Sequence, residues 1–90
     1  MPSRDEIKLQ VIKAIDQARR TSGQALQETD RLWEDLDMGP LLRKAMSKRY
    51  SKIAKKYEGG LPISMQEAEH LETVAASIDL VSRRANGDKA

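Results

Sequence analysis

Apolar residues recur every three or four positions in three stretches of this 90-residue chain, and each stretch opens behind a residue suited to cap a helix. Periodic stripes joined to caps are the sequence mark of amphipathic helices. No stretch alternates apolar and polar residues far enough to make a useful strand, and no internal repeat is visible. The class these features imply is all-α, in one domain over residues 1–90.

Ser3-Arg4-Asp5-Glu6 has the form of a capping box, with Ser3 as N-cap and Glu6 reaching back to it. Ile7, Val11, Ala14, Ile15 and Ala18 follow at helical spacing, and Leu9 and Ile12 widen the stripe. With Gly23 as the residue past the end, a first helix is expected over about residues 4–21. From Gln24 to Gly39 no single face is sustained. Leu26, Leu32, Trp33, Leu36 and Met38 read instead as anchors of a long connection, with a short helical turn around Asp30 to Asp35.

Gly39-Pro40 suits a helix start, because proline is favoured at the first helical position. Leu42, Ala45, Met46, Tyr50, Ile53 and Tyr57 then share a face, and Gly59-Gly60 with Pro62 stops it. This predicts a second helix over about residues 40–57. Ser64-Met65-Gln66-Glu67 is another capping box, opening a short third helix through about Leu71. Thr73 caps a fourth over about residues 74–84, with Val74, Ile78 and Val81 inward. Residues 85–90 read as a frayed polar tail.

Charge is sorted along the chain. Residues 1–40 carry a net −2 and residues 58–90 a net −3, whereas residues 41–57 carry +7 with no acid among them. Most of the seven cations, Arg43, Lys44, Lys48, Arg49, Lys52, Lys55 and Lys56, fall opposite the apolar stripe and are expected to form one exposed basic face. That face is either a solvated helix surface or a docking surface for something acidic. The candidates are an acidic protein, a nucleic-acid backbone and an anionic membrane, and the charge run does not choose among the three; the acidic flanks weigh against a nucleic acid, since they repel a long polyanion.

Several chemistries are disfavoured. Without cysteine there is no disulfide, thiolate site or cysteine nucleophile, and a single histidine, His70, argues against zinc and triad chemistry. Glu34, Asp35 and Asp37 lack the spacing of a calcium loop. No nucleophile, base and oxyanion set assembles. The chain is expected to be non-enzymatic, with no cofactor and no metal. No apolar run approaches a membrane span and Met1–Gln10 lacks a signal-peptide core, so a cytoplasmic location is expected.

Taken together the segments resemble the acyl carrier protein family. The resemblance rests on Leu32-Trp33-Glu34-Asp35-Leu36-Asp37-Met38 ahead of the second helix, Leu61-Pro62-Ile63-Ser64 leading into Glu67-Ala68-Glu69-His70-Leu71, and Thr73-Val74 opening Ser77-Ile78-Asp79-Leu80-Val81. It covers most of residues 4–82. It implies a four-helix bundle with a long first loop and a short third helix. Carriers attach phosphopantetheine through a serine in an Asp-Ser-Leu motif at the start of that second helix. Here Gly39-Pro40-Leu41 stands in its place, and Pro40 has no hydroxyl to modify. Ser47 and Ser51 lack the flanking motif and read as solvated helix residues, and Ser77 lies too near the end for a following bundle. The second helix of carriers is typically acidic, and here it is basic. The resemblance therefore implies a carrier-like interaction module, without the prosthetic group, that presents a basic helix to an acidic partner. The alternatives are a genuine carrier modified at another serine and a small helical nucleic-acid-binding protein.

Overall fold

The structure is a computed structural model describing residues 2–20 and 26–89. Its helices are α1 (Arg4–Arg19), α2 (Pro40–Ala54), α3 (Met65–Glu69) and α4 (Val74–Ala85). α2 packs against each of the other three, and α1 also packs on α4. Among the described residues the only β-type pairing is an isolated antiparallel bridge between Arg31 and Thr73.

The apolar periodicity builds the core. Ile7, Val11 and Ile15 of α1, Met46, Tyr50 and Ile53 of α2, and Val74, Ile78 and Val81 of α4 are all buried. Two expected stripe members are instead exposed: Leu9 is 73% exposed and Ala45 faces solvent. Each sits on the flank of its helix away from the packing partners, so the stripes are narrower than the sequence suggested. Ile12, Ala18, Leu42 and Tyr57 are half-buried against the core.

The connection before α2 is anchored as expected by Leu32, Leu36 and Met38, with Leu26 half-buried, but Trp33 is exposed. Its backbone is satisfied by the α3–α4 connection. The Leu32 amide donates to the Glu72 carbonyl at 2.8 Å, and Val74 and Ala75 donate to the carbonyls of Asp30 and Glu28 at 3.0 and 2.9 Å. A helical turn forms at residues 31–37, closed by Asp35 donating to the Arg31 carbonyl at 3.0 Å. The Asp35 carboxylate in turn accepts from the Arg31 amide at 2.7 Å. Arg4 fastens the start of α1 across this layer, pairing with Glu28 at 2.6 Å and Asp79 at 2.8 Å, and Lys8 joins Glu28 at 3.1 Å.

The helix ends correct the sequence reading. α1 stops at Arg19, where Arg20 takes a left-handed conformation (φ 56°) and its amide returns to the Asp16 and Gln17 carbonyls; Gly23 lies outside the described residues. α2 ends at Ala54 rather than residue 57. The chain tightens through Lys56 and Tyr57, then turns back at Gly59 (φ 80°) and Gly60. Only half of the first capping box forms: Ser3 accepts from the Glu6 amide, while the Glu6 side chain is taken by Tyr57. The second box, Ser64 with Glu67, is complete. α4 runs to Ala85, and residues 86–88 are tied back rather than frayed, with the Asn86 side chain on the Ser82 carbonyl and the Asp88 carbonyl accepting from Arg84.

Candidate functional site

The cations of residues 41–57 are not all exposed together. Arg43 and Lys44 are taken up by neighbours, whereas the other five, spaced three, four and seven apart, fall on one exposed arc of α2 and its C-terminal turn. Arg43 is half-buried, and its guanidinium lies 5.0 Å from the centre of the Trp33 ring. Lys44 is half-buried and reaches Glu69 of α3 at 3.5 Å. These two are therefore not part of an exposed basic face. Stacking and pairing give both a structural task, worth about 0.5–1 kcal/mol for an exposed cation on an aromatic face.

Lys48, Arg49, Lys52, Lys55 and Lys56 are exposed. Among the described residues none of the five belongs to an ion pair. Lys48 and Lys55, seven residues apart, stand on the outer side of that arc, with Lys52 beside both. Arg49, Lys52 and Lys56 stand on its side turned to α1. There they border an open groove of about 300 Å³ whose other wall carries Gln10, Lys13 and Gln17, over a floor of Ala14 and Ile53.

One end of this groove is set by a chain of hydrogen bonds. The Tyr57 hydroxyl donates to Glu6 Oε2 at 2.6 Å and accepts from Gln10 Nε2 at 2.6 Å. Gln10 Oε1 then accepts from Lys56 Nζ at 3.1 Å, which holds that ammonium at the groove rim. The Glu6 carboxylate, by accepting the Tyr57 proton, pushes the phenol pKa up. Tyr57 is therefore a boundary residue with a structural task.

Sequence reasoning missed Lys13, Gln10 and Gln17. Counting charge by segment placed Lys13 inside a net-acidic stretch. The signal was present at residues 10, 13 and 17, which are three and four apart and flank the buried stripe of 7, 11 and 14.

At the start of α2, Gly39 is the N-cap and Pro40 the first helical residue; Pro40 and Leu41 are exposed, Leu41 to 81%. Neither Ser47 nor Ser51 is solvated as expected. Ser47 is buried. The Ser51 hydroxyl accepts from the Ile63 amide at 2.9 Å and donates to the Ile63 carbonyl at 3.0 Å, binding the α2–α3 connection to α2. Ser77 is buried and donates to the Thr73 carbonyl at 3.2 Å. His70 is exposed, with Nδ1 2.9 Å from the Gln66 carbonyl. Among the described residues no three His, Cys, Asp or Glu side chains gather in a way that could hold a metal ion, and no helix is long and apolar enough to cross a membrane.

Comparison with protein-family models, with curated proteins and with solved structures finds no match.

Proposed function

We propose that this protein is a non-enzymatic, acyl-carrier-like interaction module that carries no phosphopantetheine on α2 and presents that helix's cations to an acidic protein partner. The observation that carries the reading is the exposed set Lys48, Arg49, Lys52, Lys55 and Lys56, five cations on one helix and its C-terminal turn with no ion-pair partner among the described residues. A surface of that sign steers an acidic partner into encounter and disfavours a basic one. Four helices, the third of five residues, and a long anchored connection before α2 are compatible with a carrier-like arrangement. Pro40 at the first turn supports the absence of the arm, since proline offers no oxygen for a phosphoester. The engagement of Ser51 with Ile63 and the burial of Ser47 and Ser77 weigh against their use as substitutes.

Two measurements test the two halves of this reading. Intact mass after incubation with coenzyme A and a broad-specificity phosphopantetheinyl transferase is expected to be unchanged, and a phosphopantetheine increment would make the protein a carrier. The chain is expected to bind immobilised poly-L-glutamate and to pass through poly-L-lysine. Equal behaviour on both would remove the acidic partner.

A further inference from the structure

The α1–α2 groove differs from two other depressions of the described surface in the sign of what lines it. The depression beside Tyr57 includes Glu6 and Glu58, and the one beside Trp33 includes Glu34 and Glu72. The groove has Lys13, Arg49, Lys52 and Lys56 around it and no carboxylate. Four like charges around one small volume repel each other, and the apolar floor of Ala14 and Ile53 limits screening by water. A bound anion would remove that repulsion.

We propose that this groove binds a small molecule bearing two or more phosphate groups. Charge sets the class: a phosphate monoester carries about −1.5 to −2 at neutral pH, so two of them balance four cations. Length agrees. Arg49 and Lys56 are seven residues apart, a rise of about 10 Å along α2 and the turn that follows it, and Lys13 stands opposite between Gln10 and Gln17. An extended acidic peptide covers that length with about three residues, and alternate side chains point away, leaving one or two carboxylates for four cations. Donor chemistry agrees as well. Arg49 offers a planar fork suited to a phosphate, and the lysines add point charges that follow the ligand. Lys56 is already placed by Gln10, which is itself fixed by Tyr57, so one contact loses little side-chain freedom on binding.

The proposal shares Arg49, Lys52 and Lys56 with the acidic-partner reading and adds Lys13, and the two fail separately: triphosphate against tri-glutamate reports on the groove, and Lys48→Glu/Lys55→Glu reports on cations outside it. The test is calorimetric titration of the full chain with inorganic triphosphate at about 0.15 M salt, where exposed charges more than about 8 Å apart are screened. Saturable one-to-one binding is expected. The exposed-residue double variant Lys13→Gln/Lys52→Gln should bind about tenfold more weakly or worse, with unchanged far-UV circular dichroism. Arg83→Gln/Lys89→Gln removes the same charge from exposed positions that do not line the groove, and should shift affinity by less than about twofold. A tri-glutamate peptide should bind more weakly than triphosphate. Failure to saturate, equal losses in the two double variants, or equal affinity for tri-glutamate would each overturn the proposal. Co-sedimentation with vesicles containing phosphatidylinositol bisphosphate, competed by triphosphate, would assign the phosphates to a lipid headgroup; triphosphate binding without co-sedimentation would assign them to a free ligand.

Discussion

The α-carbon of Gly60 lies against the carbonyl of Ala54 with no room for a side chain between them, and a β-carbon there would also stand 3.0 Å from the Tyr57 carbonyl oxygen. This contact lets the chain leave α2, turn and deliver Leu61 to the Arg84 carbonyl at 2.9 Å. Because both obstacles are backbone, they cannot swing aside as a side chain would. Gly60→Ala is expected to lower stability by about 3 kcal/mol, the upper part of the range for overpacking, measured by urea denaturation.

The Ser51 hydroxyl serves both backbone groups of Ile63. Ser51→Ala leaves an amide and a carbonyl in a partly buried setting without that partner. The expected loss is about 1–2 kcal/mol in the same experiment. The same variant leaves the exposed cations of α2 in place, so binding to poly-L-glutamate should not change while the protein is folded.

Two tyrosines seven residues apart have opposite roles. Tyr57 gives and receives hydrogen bonds, whereas the hydroxyl of fully buried Tyr50 has no partner of normal geometry; its polar neighbour Ser77 donates to the Thr73 carbonyl. Tyr57→Phe should cost about 1 kcal/mol, and Tyr50→Phe should cost nothing or stabilise by a similar amount. Burial pushes the Tyr50 hydroxyl up to about 12 from its ordinary 10. The folded state therefore holds this proton more tightly, and the stability this gives is complete below about pH 10 and lost as pH rises towards 12. Denaturation across that interval should show a loss in the wild type that is smaller in Tyr50→Phe.

Glu28 gives the acid counterpart. Arg4, with Lys8 second, holds its carboxyl down to about 2 from an ordinary 4.5. The folded state favours the ionised form, so the contribution is full above about pH 4.5 and fades as pH falls towards 2. Glu28→Gln should be less stable than the wild type at pH 7, with the difference shrinking over that window. A constant difference from pH 7 to pH 2 would contradict the pairing.

Local signals were legible in the sequence where a single helix decides the outcome. Ser3, Ser64, Thr73 and Pro40 each sit at the helix start expected of them, and Ile7, Val11, Tyr50 and Ile78 are buried as their spacing implied. Features depending on a neighbouring helix were not. Arg43 and Lys44 look like their exposed neighbours until Trp33 and Glu69 are brought beside them. Ser51 reads as a solvated helix residue until the chain after Gly60 returns over it. Lys13 belongs with Arg49 and Lys52 only once α1 and α2 lie side by side. The end of α2 was misplaced for the same reason, since Tyr57 continues the helical stripe in sequence but bonds to Glu6 and Gln10 across from it.

The most direct test of α2 as the recognition surface is the affinity for poly-L-glutamate, measured by titration calorimetry at several salt concentrations, for the wild type and for Lys48→Glu/Lys55→Glu. Both lysines are exposed and outside the α1–α2 groove, so helicity should be unchanged. The expected result is wild-type binding that weakens with salt and falls by about tenfold or more on reversal. Affinity unchanged by the reversal would contradict the assignment of α2 as the surface that meets an acidic partner.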